Sequence, residues 1–289
     1  YTENERGYCI TQFILEIYKK KITGNSGTIY FSQDENTYNN TPPLKYSSDN
    51  INWTNIQDTD WPIIIENINP KSEALVVDFV SNIILDISTT NDIFNSKFFI
   101  CGSDNIQFGS SSLRSDGSRP KITINGKSSP GYLGLIRNDN YSNITICNLI
   151  VDGRNSNLFD GGWIAQKNYG TNADNNCISN CHSFGDIANG CGGIVGPSAA
   201  ANSGDLTKIN GYLTIIGCSS SGVIGCSSNN DITYEHAGGI VGTNAGIVSV
   251  NYCWSSGGIF GKYCGGIIGS NAYNVEINSC YSKGNITGN

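Results

Sequence analysis

Residues 248–260, VSVNYCWSSGGIF, and residues 275–287, VEINSCYSKGNIT, superimpose without a gap. Two earlier segments follow the same pattern, NCISNCHSFGDI at 176–187 and YLTIIGCSSSGVI at 212–224. Every copy has a β-branched residue three positions before a central cysteine, and Ser two, Gly four and Ile six positions after it. The central cysteines are Cys181, Cys218, Cys253 and Cys280, and the β-branched residues are Ile178, Ile215, Val250 and Ile277. Four agreeing positions in four copies establish an internal repeat.

In chain order the copies begin at residues 176, 212, 248 and 275, and a second block follows each of the first three. It reads CGGIVG at 191–196, AGGIVG at 237–242 and CGGIIG at 264–269, and a weaker copy of the whole unit lies within 146–165. The last two central cysteines are 27 residues apart, which is enough chain for one solenoid turn. Each repeat alternates apolar and polar residues over short spans broken by Gly or Asn, as strands and corners do. Stacking the repeats in register would bury the β-branched positions as internal ladders, so the sequence predicts a parallel β-helix.

The same strand pattern extends back from the clearest repeats, which occupy 144–289. We assign the β-helix to residues 61–289, and residues 1–60 to a smaller β-rich cap, module or arm that begins with the strand-like segment 8–18. The predicted fold class is therefore all-β, a parallel β-helix with a small N-terminal addition. Two longer spacings between repeats indicate insertions, which we expect as external loops at 197–211 and 226–236.

Composition and charge exclude several classes of function. The formal net charge is -7, and the longest basic run is the three lysines at 19–21, so we expect no nucleic-acid partner. No apolar run reaches the length of about 18 residues that a membrane-spanning helix needs, so we predict no transmembrane segment. No Cys-x-x-Cys pair with a matching His or Cys pair occurs, which argues against structural zinc, and no other cofactor is predicted.

The eleven cysteines are many for a cytosolic chain, and an odd number leaves at least one without a partner in the same chain. We interpret Cys181, Cys218, Cys253 and Cys280 as an internal ladder of small apolar side chains. Disulfides between neighbouring copies are the alternative, although parallel side chains in register disfavour the dihedral angle of a disulfide. Outside this ladder, Cys177 and Cys226 are the better disulfide candidates.

Asn-x-Ser/Thr sequons begin at Asn39, Asn52, Asn140, Asn143 and Asn285. A chain rich in Asn, Ser and Thr also produces sequons by chance. Only 14% of the residues are charged, so we expect glycan on at least one of Asn52, Asn140 and Asn143 to support solubility. Sequons and cysteines together predict a glycoprotein that is extracellular or lies at the surface of a virion or cell.

The enzyme hypothesis depends on clustered carboxylates, which glycan hydrolysis requires on one face. The candidates are Asp152 and Arg154, joined by Asp160 and by Asp174. The alternative is that the Asp-Gly pairs beginning at Asp152 and Asp160 are corner turns and that Arg154 is solvated. We favour the corner turns and assign no catalytic residue.

Aromatic residues lie beside the ladder cysteines and the Gly-Gly blocks. The members of this predicted stripe are Tyr252, Trp254, Tyr263 and Tyr281, which would face outward if the cysteines face inward. Such a stripe can stack on sugar rings or pack against a neighbouring protomer, whereas β-propensity alone would also place aromatic residues there. We expect His182 and His236 to face solvent and not to form a metal pair.

Two resemblances agree with this fold. The GGIVG blocks, each followed by a small polar turn, resemble the GLUG-type repeats of bacterial surface adhesins. The ordered run FFICGSDNIQFG, GSRPKITING, YLGLIRN, NITICNLIVDG, GGWIAQ and CGGIVG resembles repeat proteins encoded by giant viruses of protists and algae. The resemblance covers about 98–289 and implies a right-handed β-helix of the surface or fibre type. Those families carry no settled activity, so the resemblance implies no catalytic residue.

The expected function is that of a non-enzymatic structural protein, an adhesin-like fibre or filament outside the cell or on a virion. The last copy, 275–289, stops before a GGIVG block. We expect another copy to complete it in head-to-tail order, unless the chain is a fragment and its own missing residues form the cap. The expected partners are other copies of the chain and cell-surface glycans. The alternative is a carbohydrate-active β-helix, a polysaccharide depolymerase or lyase, which a groove lined with carboxylates would favour.

Overall fold

A computed structural model describes ten stretches of the chain, and the strand-like segment 8–18, Asn39 and Cys226 lie outside them. The described residues are 20–24, 27–34, 41–71, 73–88, 97–110, 112–127, 131–171, 173–201, 211–225 and 236–287. They form twenty-one β-strands and a single 3-10 turn, Asp58–Asp60, so this part of the chain is all-β.

The strands are short, as the frequent Gly and Asn in the sequence predict. Strands β1 to β7 are Lys21–Gly24, Gly27–Ser32, Lys45–Ser47, Thr54–Asn55, Ile63–Asn67, Leu75–Phe79 and Ile83–Asp86. Strands β8 to β14 are Phe99–Cys101, Ile106–Phe108, Lys121–Asn125, Ile136–Arg137, Ile144–Cys147, Ile150–Asn155 and Asn176–Ser179. Strands β15 to β21 are His182–Phe184, Leu213–Ile216, Ser219–Ser221, Ile247–Asn251, Trp254–Ser255, Asn274–Asn278 and Tyr281–Ser282.

The largest sheet has ten strands in the order β20, β18, β16, β14, β12, β9, β6, β2, β3, β4. Neighbours from β20 to β2 are parallel, and β3 and β4 add antiparallel strands at the other edge. The β-branched residues of the four repeats pair in register, Ile178 with Ile215, Ile215 with Val250, and Val250 with Ile277. The gap-free alignment of the copies therefore corresponds to strand register. Ile215 and Val250 are fully buried, whereas Ile277 is 49% exposed because β20 has a neighbour on one side only.

A second parallel sheet has the order β7, β10, β13, β15, β17, β19, β21. Its inner line changes from apolar to polar, because Ile83, Ile122 and Val151 are followed by Ser183, Ser220, Ser255 and Ser282. The Ser220 hydroxyl donates to the carbonyl of Gly239 at 2.5 Å, and the Ser255 hydroxyl donates to that of Gly266 at 2.5 Å. A Cβ on Gly239 would lie 2.8 Å from the Ser255 Cβ. The repeated Ser and the second Gly of each block are therefore packing partners.

Ser183 occupies the same line, is as buried as Ser220, and its hydroxyl has no hydrogen-bond partner among the described residues. We expect Ser220→Ala to lower the free energy of unfolding by about 1 to 2 kcal/mol, because it removes a buried bond and leaves the Gly239 carbonyl unpaired. The same change at Ser183 should be neutral or stabilising, because it removes an unsatisfied buried hydroxyl. Urea unfolding of both variants measures the difference, and equal losses would contradict it.

A third parallel sheet has the order β1, β5, β8, β11. Beyond β11 its line continues as single bridges, from Ile136 to Ala165, Val195, Val241 and Ile268 in turn. Val195, Val241 and Ile268 are the fourth residue of each GGIVG-type block. Val195 and Val241 are fully buried. The first three copies therefore contribute to all three lines of parallel pairing, and the last copy contributes β20 and β21 to two of them.

The residue before each central cysteine has a left-handed backbone, with φ of 51° at Asn180, 63° at Gly217, 54° at Tyr252 and 53° at Ser279. These residues join the ten-stranded sheet to the seven-stranded sheet. Asn and Gly adopt this conformation readily, whereas Tyr does so at a cost of about 1 kcal/mol or more. The amide of Asn180 donates to the carbonyl of Ile216 in the next copy at 2.9 Å, so the corners are also hydrogen-bonded to one another.

Strands from before and after residue 60 belong to the same sheets, because β1 pairs with β5 and β2 pairs with β6. The core of this first part is aromatic: Phe31 and Phe99 have ring centroids 5.2 Å apart, and Phe79 and Phe108 lie within 6.1 Å of Phe99. In the repeats, Ile, Val and Cys take over these positions. The core is therefore one cluster, in which the buried apolar side chains beyond Tyr169 are aliphatic residues and cysteines.

The start of the first predicted insertion packs against the repeats. Ala199 and Ala200 are fully buried, and the amide of Gly246 donates to the Ala199 carbonyl at 2.8 Å. Small side chains permit this close backbone approach, so this part of 197–211 does not extend into solvent. Residues 202–210 and 226–235 of the two insertions lie outside the described residues.

Candidate binding face

The outer face of the seven-stranded sheet brings together side chains from both groups of predicted site residues. Because side chains alternate along a strand, the residues on either side of the buried Ser line point outward. One outer line runs through Lys121, Ile150, His182, Ser219, Trp254 and Tyr281, each paired in register with the next. A neighbouring line contains Thr123, Asp152, Phe184 and Ser221. We call these two lines the outer ladder.

Aromatic rings follow one another along the outer ladder. The ring of His182 contacts Phe184 edge-on, with centroids 4.3 Å apart, and lies 5.7 Å from Trp254. Trp254 and Tyr281 are nearly parallel, with an interplanar angle of 6° and centroids 6.2 Å apart. The register of β15, β17, β19 and β21 thus produces a continuous aromatic surface from residues distant in sequence.

Asp152 lies at one end of this surface and is neutralised by cations. Arg154 Nε donates to Asp152 Oδ1 at 2.9 Å, and Arg154 Nη2 lies 2.6 Å from Asp152 Oδ2, while Lys121 Nζ lies 3.9 Å away. These hydrogen bonds from Arg154 hold the pKa of the Asp152 carboxyl below its usual value. The carboxyl is therefore ionised at neutral pH, which suits an ion pair and not a general acid.

Arg154 remains accessible although it is paired. Its side chain is 63% exposed, and its guanidinium lies over the Phe184 ring, 5.0 Å from the centroid. At the opposite end of the outer ladder, Lys283 Nζ lies over the Tyr281 ring at 5.3 Å. Each end of the aromatic surface therefore has an exposed cation.

His182 is half-buried, in contrast to the predicted solvent-facing position. Its Nδ1 is hydrogen-bonded to the Ser219 hydroxyl, and its Nε2 lies 3.4 Å from the Ser221 hydroxyl. Burial lowers the pKa of His182, and the charge of Arg119 lowers it further. The imidazole is therefore neutral at pH 7 and acts as a hydrogen-bonding partner for the two serines.

The predicted aromatic stripe divides into three places. Trp254 and Tyr281 lie on the outer ladder, as described above. Tyr263 stacks on His236 with centroids 5.0 Å apart, and Tyr252 occupies the left-handed corner, where it is 68% exposed. Sequence position relative to the cysteines did not distinguish strand residues from corner residues, and so did not separate these groups.

The other two candidate residues are held in different ways. The Asp160 carboxylate pairs with Lys167 at a left-handed turn. The backbone amide of Asp174 donates to the Ser142 hydroxyl at 3.1 Å. Asp152 and Asp160 therefore belong to two separate ion pairs. No group of three or more His, Cys, Asp or Glu within the described ranges is arranged to hold a metal ion.

The central cysteines share one geometry. Cys218 Sγ lies 3.5 Å from the carbonyl oxygens of Ile178 and Ile216, and Cys253 Sγ accepts from the Cys218 amide at 3.3 Å. Cys181, Cys218 and Cys253 are buried and Cys280 is partly buried, and none of these four is in a disulfide. Burial raises the pKa of the Cys218 thiol well above its usual value. Cys177 lies on the outer face of β14 as a half-buried thiol.

The four described sequon residues, Asn52, Asn140, Asn143 and Asn285, are all exposed. The Asn52 side-chain amide donates to Asp49 Oδ2 at 2.7 Å, so its nitrogen is already engaged. Asn140 and Asn143 have left-handed backbones in the turn between β11 and β12. This turn is therefore the more accessible position for a glycan.

Lys121, Phe184 and Ser219 lie on the same face, although no sequence pattern predicted it. The inward Ser of each repeat could have indicated Phe184 and Ser219, since its neighbours on both sides must point outward. The long, variable spacing between copies hid the pairing of β10 with β13.

No protein-family profile, no curated protein and no solved structure matches this chain. Within the described ranges, no helix has the length and apolar character needed to cross a membrane.

Proposed function

We propose that the chain is a right-handed parallel β-helix that serves as a non-enzymatic structural protein, an adhesin-like fibre component outside the cell or on a virion surface. The observation that carries the proposal is the register of the parallel strands, in which the first three copies supply residues to three lines of pairing and the last copy supplies residues to two. Stacks of this kind are stiff, because every repeat is hydrogen-bonded to the one before and after it. A stiff rod suits a structural role.

The ion pairs at the candidate carboxylates support a non-enzymatic role over a depolymerase that hydrolyses glycans. Asp152 is held ionised by Arg154, and Asp160 pairs with Lys167. Glycan hydrolysis needs one carboxyl that stays protonated to serve as the acid. The hydrogen bonds from Arg154 lower the pKa of Asp152, so Asp152 does not supply that acid, and Asp160 is engaged by Lys167 in a separate ion pair.

Self-assembly is the proposed basis of the fibre. Among the described residues, strands β20 and β21 are each paired on one side only, and Ile277 and Ile286 are 49% and 81% exposed. Unpaired strand edges with exposed apolar side chains are templates for strand addition. We propose that a second copy pairs with this edge in head-to-tail order, which would extend into filaments since the contact is heterologous.

Electron microscopy of the full-length protein tests the assembly. We expect filaments for the natural chain and discrete particles for Ile277→Lys, because a charge at the unpaired edge opposes strand addition. Ile216→Lys is the matched control, since it places the same charge on an exposed position of an inner strand of the same sheet. Discrete particles of the natural chain, or filaments of Ile277→Lys, would refute head-to-tail pairing at this edge.

A glycan on the turn between β11 and β12 is part of the proposal for a surface protein. Asn140 and Asn143 are exposed there and lie away from the pairing edge formed by β20 and β21. Mass spectrometry of the native protein reports whether either residue is modified.

A further inference from the structure

The outer ladder has a regular spacing that fits a linear polymer. Six strands, from β10 to β21, lie side by side along it, and parallel strands about 4.8 Å apart make a line of roughly 24 Å. One pyranose ring of an extended polysaccharide covers a length comparable to one strand spacing. A sugar chain lying across the strands would therefore meet a new side chain at each sugar.

Two aromatic members of the outer ladder are accessible to solvent, since Tyr281 is 47% exposed and Trp254 is half-buried. The centroids of Trp254 and Tyr281 are 6.2 Å apart with parallel planes, which lies in the upper part of the range of about 4.5 to 7 Å for aromatic pairs. Aromatic faces are the usual stacking surfaces for the apolar side of a sugar.

The charged members are cations at wide intervals. Lys121 and Arg154 lie toward one end, Lys283 lies at the other, and Asp152 is the carboxylate that pairs with the first two. The rest of the chain is acidic, with a formal net charge of -7. Three cations beside one carboxylate give this face a local surplus of positive charge, which attracts an anionic ligand.

We propose that the outer ladder binds an acidic polysaccharide that runs across the strands, with its sugar rings on Trp254 and Tyr281 and its acidic groups on Arg154, Lys121 and Lys283. Single-stranded nucleic acid also stacks on aromatic rings and pairs with cations, so it is the competing ligand and enters the test as a separate probe. The inference goes beyond the proposed structural role and rests on it only for the biological setting, since binding is measured separately from assembly.

Isothermal titration calorimetry of the full chain tests the proposal, with galacturonan oligosaccharides as carboxylated probe, dextran sulfate as sulfated probe and dextran as uncharged probe. We expect at least one acidic probe to bind, dextran not to bind, and Arg154→Gln to weaken binding about tenfold, since bonds to charged groups are the stronger ones. Lys283→Gln, which leaves Asp152 and its partners intact, should also weaken binding.

Matched controls separate the face from general effects of charge and folding. Arg137 pairs with Asp139 and lies over the Phe98 ring, yet it belongs to the four-stranded sheet. Arg137→Gln should therefore leave the affinity unchanged.

Trp254→Ala should also weaken binding. Its control is Trp53→Ala, since Trp53 lies beside Lys45 next to β4, at the opposite edge of the ten-stranded sheet from β20.

Three results would overturn the proposal: no binding of either acidic probe, equal loss in the face variants and their controls, or tighter binding of single-stranded DNA than of both acidic glycans. A preference for galacturonan or for dextran sulfate supports it and identifies the acidic group. Filament formation is scored on its own by microscopy, so failure of assembly and failure of glycan binding are distinguishable.

Discussion

Gly257→Ala is expected to lower the free energy of unfolding by about 3 kcal/mol, the upper end of the usual cost of overpacking. A Cβ at this position would lie 1.6 Å from the carbonyl oxygen of Gly222 in the preceding copy. The atom in the way belongs to the backbone of a paired copy, so it cannot move without disturbing the strand pairing around it. The same contact recurs along the repeats, because a Cβ on Gly222 would lie 1.7 Å from the Gly185 carbonyl oxygen.

The adjacent residue provides the control. A Cβ on Gly258 would lie 2.7 Å from the ring of Phe260, a side chain that is 50% exposed and can rotate away, and 3.7 Å from the Asn285 carbonyl oxygen, which is an ordinary contact. Gly258→Ala should therefore change stability by no more than about 0.5 kcal/mol. Urea unfolding followed by circular dichroism measures both variants. If the two alanine variants were equally stable, close backbone contact would not be the reason for the repeated glycine.

Ile215→Ala is expected to cost about 3 to 4 kcal/mol, within the range for truncating a buried Ile. Ile215 is fully buried between Ile178 and Val250 in the ten-stranded sheet. Removing its methyl groups leaves a cavity that neighbouring strands, held in register on both sides, cannot close.

Ile216 follows directly in the same strand and is 39% exposed, because its side chain points to the opposite face. Ile216→Ala should therefore cost less than about 1 kcal/mol. Thermal and urea unfolding of the two variants compare adjacent residues of identical chemistry. Similar losses would mean that β16 is shifted by one residue relative to its neighbours, since such a shift exchanges the two faces.

The sequence indicated both Arg154 and Trp254 of the candidate face as candidate site residues, but as members of different groups. Arg154 was a candidate beside the carboxylates, and Trp254 belonged to the aromatic stripe. Their common location follows from the pairing of β13 with β15, β15 with β17 and β17 with β19. No local pattern contains that information, because the paired residues are separated by tens of positions and by insertions of unequal length.

The repeat itself was determined by the sequence alone. Four copies with a common cysteine predicted all-β structure, parallel pairing and the register line that contains Ile215 and Val250, because alternation and spacing are properties of the local chain. Tertiary structure decided the rest. It placed the Ser two positions after Cys218, Cys253 and Cys280 against the second Gly of a block, and set Tyr252 apart from Trp254. It also left the Ser183 hydroxyl without a partner among the described residues, while Ser220 has an acceptor. These outcomes depend on which backbone lies opposite each side chain, and that is defined only when copies distant in sequence are packed together.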